Sequence, residues 1–320
     1  MVCGLSADIE MMRARKKRRG RLRSGRFFKA ALVLLAVWSL AMLANRAEAA
    51  NELTPMRSIV IDATLLHPTI NPNDGFIYWI NAAEGRLQRA SLEMAVVDQH
   101  AVLLDAGAQD FCFSANGQTA FVVEAPNGYN HYRFEGGRGR IEVVDLHAMA
   151  VVGSIAMPID PYAVVCDGEG MLYVSPGSGQ FGKLYKIDSH GQSILWACDW
   201  GIYERSALFL TVDGRRLYFA DESSMDEVPV TPEMKSGRPN HVSPRNGRYS
   251  GGSFVVTSDG KFSINRQGNV IELGEGGAED AAAGGRVEEN RGAACDPMDG
   301  RLWLLAVADD GLLTYTYPDL

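Results

Sequence analysis

Asp160-Pro161-Tyr162-Ala163-Val164-Val165-Cys166-Asp167-Gly168-Glu169-Gly170 leads into Met171-Leu172-Tyr173-Val174-Ser175 and, after a Gly/Ser loop, into Gly182-Lys183-Leu184-Tyr185-Lys186-Ile187. An apolar run, an acidic-glycine turn, a β-rich run, a loop and a third alternating run read as three consecutive antiparallel strands.

The same unit recurs along the chain. Each copy turns on a glycine after a small polar or acidic residue, at Gly75, Gly117, Gly170, Gly214, Gly260 and Gly300, with successive spacings of 42, 53, 44, 46 and 40 residues. After each glycine comes an aromatic or β-branched run, such as Phe76-Ile77-Tyr78-Trp79-Ile80 or Leu302-Trp303-Leu304-Leu305, of the composition that a half-buried pleated surface favours. Repeats of roughly 40–50 residues built from strands specify a β-propeller. The expected fold is therefore all-β, with six blades of four antiparallel strands and the first strand of each inward. The count becomes seven if the segment 222–251 conceals a degenerate blade.

A third strand opened by glycine follows in most units, as at Gly85-Arg86-Leu87 and Gly139-Arg140-Ile141. The fourth unit shows none after Phe219. The last unit stops at Leu320 without an outer strand, and the lone run Ser58-Ile59-Val60-Ile61 ahead of the first unit can supply it. That would close the ring by joining the two ends of the array and remove a free sheet edge.

The first fifty residues follow other rules. Arg13 to Lys29 is densely basic, Ala30 to Ala44 is apolar apart from Ser39, and Ala47-Glu48-Ala49 has the small-x-small form of a cleavage site. This order is that of a secretory signal peptide, and the apolar run falls short of the roughly 20 residues that span a bilayer. We expect a signal peptide at 1–49, a linker at 50–56 and one propeller domain at 57–320, located outside the cytoplasm, in the periplasm or secreted. Membrane association would come only through an uncleaved signal.

The whole chain carries a formal charge of −8, and residues 1–49 carry +8, which leaves −16 on the remainder. A domain this acidic repels phosphate backbones, which excludes nucleic-acid binding as the expected function. Of five cysteines, Cys112, Cys166, Cys198 and Cys295 follow the signal. They lack the CxxC or Cys/His spacing of a zinc site and read as small buried apolar residues.

Two stretches, Pro161 to Ile187 and Gly139-Arg140-Ile141-Glu142-Val143-Val144-Asp145-Leu146 with Val151-Val152-Gly153-Ser154-Ile155 after it, resemble the YVTN-type repeat of bacterial and archaeal propeller proteins. Ser175-Pro176 stands where that family's motif ends in Thr-Asn. The resemblance implies a fold within the WD40-like superfamily. It does not imply one function, because propellers of this type include binding, surface and enzyme proteins.

Two segments interrupt the period. Ala125 to Arg138 separates the second and third strands of unit two, and Glu222 to Gly251 follows the second strand of unit four and gathers Lys235, Arg238, His241, Arg245 and Arg248. Both should rise from the face that carries the blade-to-blade connections, where loops on a rigid scaffold commonly hold binding residues. Tyr129, Asn130, His131, Tyr132 and Arg133 are the candidate ligand- or partner-binding residues, since Tyr and Arg dominate interface energetics. The alternative is that Tyr129, Tyr132 and Phe134 fold back over blade two. The strand entries Asp110, Asp160, Glu204 and Glu289 on the same face form a candidate ring of carboxylates, suited to Ca²⁺ in the central channel.

Two function classes follow. One is an exported module that binds a protein or small-molecule ligand through its loop face. The other is a metal-dependent lactonase- or esterase-like hydrolase centred on the channel, in which the ion polarises an ester carbonyl. No Ser-His-Asp or Cys-His arrangement assigns catalytic residues. The signal-peptide reading is checked by N-terminal sequencing of exported protein, which should begin at Ala50; a mature form that retains Arg13–Lys29 would contradict it.

Overall fold

The computed structural model describes residues 57–60, 65–71, 73–94, 96–132, 139–211, 213–221 and 224–242, and seven further strands between 254 and 316. The chain divides into Met1–Asn51, of which no residue is described, and Glu52–Leu320. Among the described residues the second unit is built from strands and one short 3-10 turn, Pro232–Lys235. β1 (Arg57–Val60) comes first. Blade one follows with β2 (Leu65–Asn71), β3 (Phe76–Asn81), β4 (Arg86–Ser91), β5 (Val96–Val97) and β6 (Val102–Leu103). Blade two holds β7 (Ala108–Phe113), β8 (Thr119–Glu124), β9 (Arg140–Asp145) and β10 (Ala150–Ala156). Blade three holds β11 (Pro161–Cys166), β12 (Met171–Pro176), β13 (Phe181–Gly182), β14 (Tyr185–Asp188), β15 (Ser193–Ala197) and β16 (Ile202–Tyr203). Blade four holds β17 (Ala207–Leu210), β18 (Arg216–Ala220), β19 (Met225–Pro229) and β20 (Asn240–His241). The remainder is β21 (Phe254–Val256), β22 (Phe262–Asn265), β23 (Asn269–Glu272) and β24 (Ala283–Arg286), then β25 (Asn290–Cys295), β26 (Arg301–Ala306) and β27 (Gly311–Thr316).

Among the described residues these strands form six antiparallel sheets of four or five strands, plus the two-stranded ribbon β13–β16. Each sheet begins with its inner strand. The inner strands pack in a closed cycle, β2 against β7, β7 against β11, then β17, β21, β25 and back to β2. This is the propeller arrangement expected from the repeat. The ring closes as the sequence indicates: β1 pairs antiparallel with β27, Arg57 opposite Thr314 and Val60 opposite Gly311, so the start of the domain forms the outer strand of its last sheet.

Burial explains the composition of the repeat. The second strands β3, β8, β12 and β18 are buried on both faces, because neighbouring sheets cover both sides of each. Alternation therefore gives way to continuous apolar runs, with Tyr78, Trp79, Leu172 and Tyr173 fully enclosed. Each fully buried aliphatic or aromatic side chain contributes about 1.5–3 kcal/mol by removal from water. The outer strands β10 and β15 are largely exposed.

The acidic-glycine turns serve two purposes. Gly75 and Gly170 sit at φ +72° and +83°, where a side chain would be strained. The preceding aspartates bind their own turns: Asp74 Oδ1 accepts the Phe76 N–H at 2.9 Å, and Asp167 Oδ1 accepts those of Glu169 and Met171 at 2.9 Å each. Their second oxygens accept the hydroxyls of Tyr78 at 2.6 Å and Tyr173 at 3.2 Å, tying turn to strand.

The segment after Phe219 needs correction. It is not a loop without a third strand: Met225–Pro229 pairs with β18 and Asn240–His241 pairs with β19, completing blade four. No seventh sheet arises there among the described residues. The strand was illegible because Met225-Asp226-Glu227-Val228-Pro229 carries two carboxylates and ends in proline, and its register comes from β18 rather than from its own pattern. The ribbon is a second departure, since Phe181 and Gly182 pair with Tyr203 and Ile202 rather than opening the third strand, which begins at Tyr185. Cys112, Cys166 and Cys198 are free thiols in largely apolar surroundings, and burial pushes all three up in pKa.

Blades one and two are joined by Asn71, which is fully buried and donates from Nδ2 to Gly117 O and to Asp74 Oδ2, both at 2.9 Å. Asn71→Ala leaves buried acceptors without a donor and should cost about 1–3 kcal/mol, read as a melting midpoint lower by several degrees. An unchanged midpoint would contradict the tie.

Candidate functional site

The segment between β8 and β9 leaves blade two and crosses onto blade three. Gly128, at φ +69°, turns the chain, its N–H donating to Ala125 O at 2.8 Å. Tyr129 is the anchor. Its hydroxyl donates to Pro161 O at 3.0 Å, its ring meets Tyr162 edge-on at 5.6 Å, and the Arg205 guanidinium lies 5.5 Å from the ring centre. The ring rests on Gly177, where a Cβ would approach to 2.0 Å, so only glycine fits there. Burial pushes the Tyr129 hydroxyl well above its ordinary pKa, with Tyr162, Asp110 and Asp160 nearby adding to the effect.

Asn130 fixes the next step. Its N–H donates to Ser178 Oγ at 3.0 Å, its carbonyl accepts the Gly179 N–H at 3.0 Å, and its side-chain oxygen accepts the Tyr132 N–H at 3.0 Å. Ser178 Oγ in turn donates to Asp160 Oδ2 at 2.7 Å. His131 Nδ1 lies 2.5 Å from Glu204 Oε1, which binds the strap to the start of blade four. The Tyr132 ring stands edge-on to His131 at 4.7 Å and is 88% exposed. Arg133 lies outside the described residues.

The five predicted residues therefore separate. Tyr129 and Asn130 are packing and hydrogen-bonding residues that attach the strap to blade three, not to blade two. Tyr132 presents its phenol to solvent, while His131 is partly exposed and tied to Glu204. The Glu204 N–H donates to Gln180 O at 3.3 Å, beside the β13–β16 ribbon, where Phe181, 61% exposed, meets Tyr203 edge-on at 5.4 Å. Sequence reasoning missed Phe181, whose place beside Glu204 depends on a ribbon joining two connections 20 residues apart.

The candidate channel carboxylates are placed one by one. Inner strands β2, β7 and β11 carry a register shift near their entries, at Leu66/Thr69, Ala108/Asp110 and Pro161/Val164. Such bulges re-aim side chains at a rim. Asp110 is buried; its Oδ2 accepts the Val164 N–H at 3.0 Å and its Oδ1 lies 3.4 Å from His67 Nδ1. Burial raises its pKa, while His67 opposes the rise. Asp160 takes Ser178 and Glu204 takes His131, each retaining one buried oxygen, Asp160 Oδ1 and Glu204 Oε2, that no donor among the described residues reaches. Glu289 lies outside the described residues.

The carboxylates brought together among the described residues are others: Asp105, Glu124 and Glu142, with one oxygen of each within 4.8 Å of the rest. Glu124 ends β8, where the strap departs, and burial with the neighbouring Glu142 carboxylate pushes its pKa up to about 8.

No family model matches the chain, and no curated protein matches its sequence. Solved structures do match its fold. A chain of Kuenenia stuttgartiensis hydrazine synthase superposes with a TM-score of 0.60 over 80% of this chain and 84% of that one, at 12% identity. The β-propeller domain of Cps50 (Swd1) from Myceliophteria thermophila superposes with a TM-score of 0.56 over 82% and 99%, also at 12% identity. At such identities the likeness establishes the propeller fold alone. Among the described residues no helix is long and apolar enough to cross a membrane.

The division of labour in the strap is testable. Tyr129→Ala should destabilise by about 2–4 kcal/mol, as for loss of a packed aromatic ring, whereas Tyr132→Ala should stay within about 0.5 kcal/mol. Thermal melts of the two variants decide it; equal losses would overturn the assignment.

Proposed function

We propose that the protein is an exported propeller of the YVTN repeat type that binds a small-molecule or protein ligand on the face carrying residues 125–139, with His131, Tyr132 and Phe181 as contact residues. The observation that carries this reading is Tyr132, an almost fully exposed ring on a strap pinned through Tyr129, Asn130 and His131. An aromatic side chain on a backbone already ordered gives up little further freedom on binding, so more of its contact energy reaches affinity. Phe181, next to Gln180, whose carbonyl accepts the Glu204 N–H, supplies a second exposed aromatic. The strongly acidic propeller favours ligands with a cationic group, which exposed aromatic rings also attract. Export rests on the basic, apolar and small-residue order of the first 49 residues.

A hydrolase centred on the channel is the less favoured reading, because Asp110 already accepts the Val164 N–H and faces His67, and Asp160 and Glu204 each hold a partner of their own. The binding reading is tested with a thermal-shift screen of amines, guanidines and basic peptides, followed by titration of the hits. Tyr132→Ala combined with Phe181→Ala should weaken a hit at least tenfold, about 1.4 kcal/mol, without moving the melting midpoint of the free protein. Hits whose affinity ignores both substitutions would place binding elsewhere.

A further inference from the structure

Glu124 and Arg140 face each other where the strap leaves and rejoins blade two, and Glu142 is the diagonal neighbour of Glu124, two residues beyond Arg140. Diagonal neighbours share one face of a sheet. Asp105, from the connection between blades one and two, completes the group: its N–H donates to Glu124 Oε1 at 3.0 Å, and its carboxylate contacts Arg140 Nη2. The side chains of Glu124 and Glu142 are 0% and 9% exposed, while that of Asp105 is 67% exposed.

The charges do not balance. Arg140 is one cation against three carboxylates, lying 2.8 Å from Glu124 Oε2 and 3.4 Å from Glu142 Oε1. Among the described residues, Glu142 Oε2 is buried and meets no donor, and Glu124 Oε2 has no aligned hydrogen bond. Two buried carboxylates side by side, with a third at the rim, are unfavourable unless a proton or a further cation is held between them. We propose that Asp105, Glu124 and Glu142 bind a divalent cation of the calcium class. Three carboxylates, each mono- or bidentate, supply three to six of the roughly 6–8 oxygens that calcium takes, and water fills the rest. Asp105 provides the way in from solvent. The ion would join both ends of the strap to the blade connection and so stiffen the base of the loop that carries His131 and Tyr132. The site shares no residue with the candidate channel carboxylates Asp110, Asp160, Glu204 and Glu289, and it stands whether or not the loop face binds a ligand.

The test uses the purified protein stripped with a chelator, titrated calorimetrically with calcium chloride at neutral pH and melted with and without about 5 mM calcium. Affinities of roughly 10⁻⁴–10⁻³ M are typical of extracellular calcium modules. The expected result is one ion per chain and a midpoint raised by several degrees. Asp105→Asn, at an exposed position that should leave the fold intact, should weaken binding at least tenfold, and Glu142→Gln should abolish it. Asp160→Asn at the channel mouth should leave it unchanged. The proposal is overturned if the wild-type protein binds no calcium, in which case a shared proton holds the Glu124–Glu142 pair. It is also overturned if Asp105→Asn binds as the wild type does, or if binding is lost only in Asp160→Asn.

Discussion

A ring of sheets must join its own ends, and here the joint is the pairing of Arg57–Val60 with Gly311–Thr316. The last sheet has three strands from the end of the chain and borrows its fourth from the beginning. Without that strand β27 is a free edge, with a row of backbone donors and acceptors open to any other strand. With it, the closed cycle of inner strands is fixed at its one covalent gap.

Rigidity then passes outward through few interactions. In blades one to four, second strands buried on both faces bind sheet to sheet, and polar ties cross the seams: Asn71 to Gly117, Val164 N–H to Asp110, and Ser175 Oγ to Ser206 O at 2.7 Å. Asp110, a candidate channel carboxylate in the sequence, serves the scaffold by accepting the Val164 N–H. The strap between β8 and β9 continues the same logic on the surface, since Tyr129 occupies the space that Gly177 leaves on blade three and His131 reaches Glu204 at the entry to blade four. Tyr132 and Phe181 are left as exposed aromatic rings on this scaffold.

How much of this the sequence discloses depends on distance along the chain. The repeat, the turn glycines and the closing strand are local or periodic signals, and all were legible. Strand β19 was not, because a strand whose partner dictates its register need not carry its own alternation. Tyr129 was legible as a binding candidate but not as an anchor, because its partners Pro161, Tyr162 and Gly177 lie more than 30 residues away. The triad Asp105, Glu124 and Glu142 was also invisible: Glu124 and Glu142 are separated by the strap, and their adjacency exists only once β8 and β9 pair. In each case the missing information was which strands lie side by side.

Hydrogen–deuterium exchange on the folded protein tests the closure most directly. The account predicts that amides of Arg57–Val60 are protected to the same degree as those of Gly311–Thr316 and lose protection together with them as denaturant is raised, as one cooperative unit. Exchange of Arg57–Val60 at the rate of an unstructured peptide, with Gly311–Thr316 still protected, would show that the ring is not closed by this strand and would contradict the account.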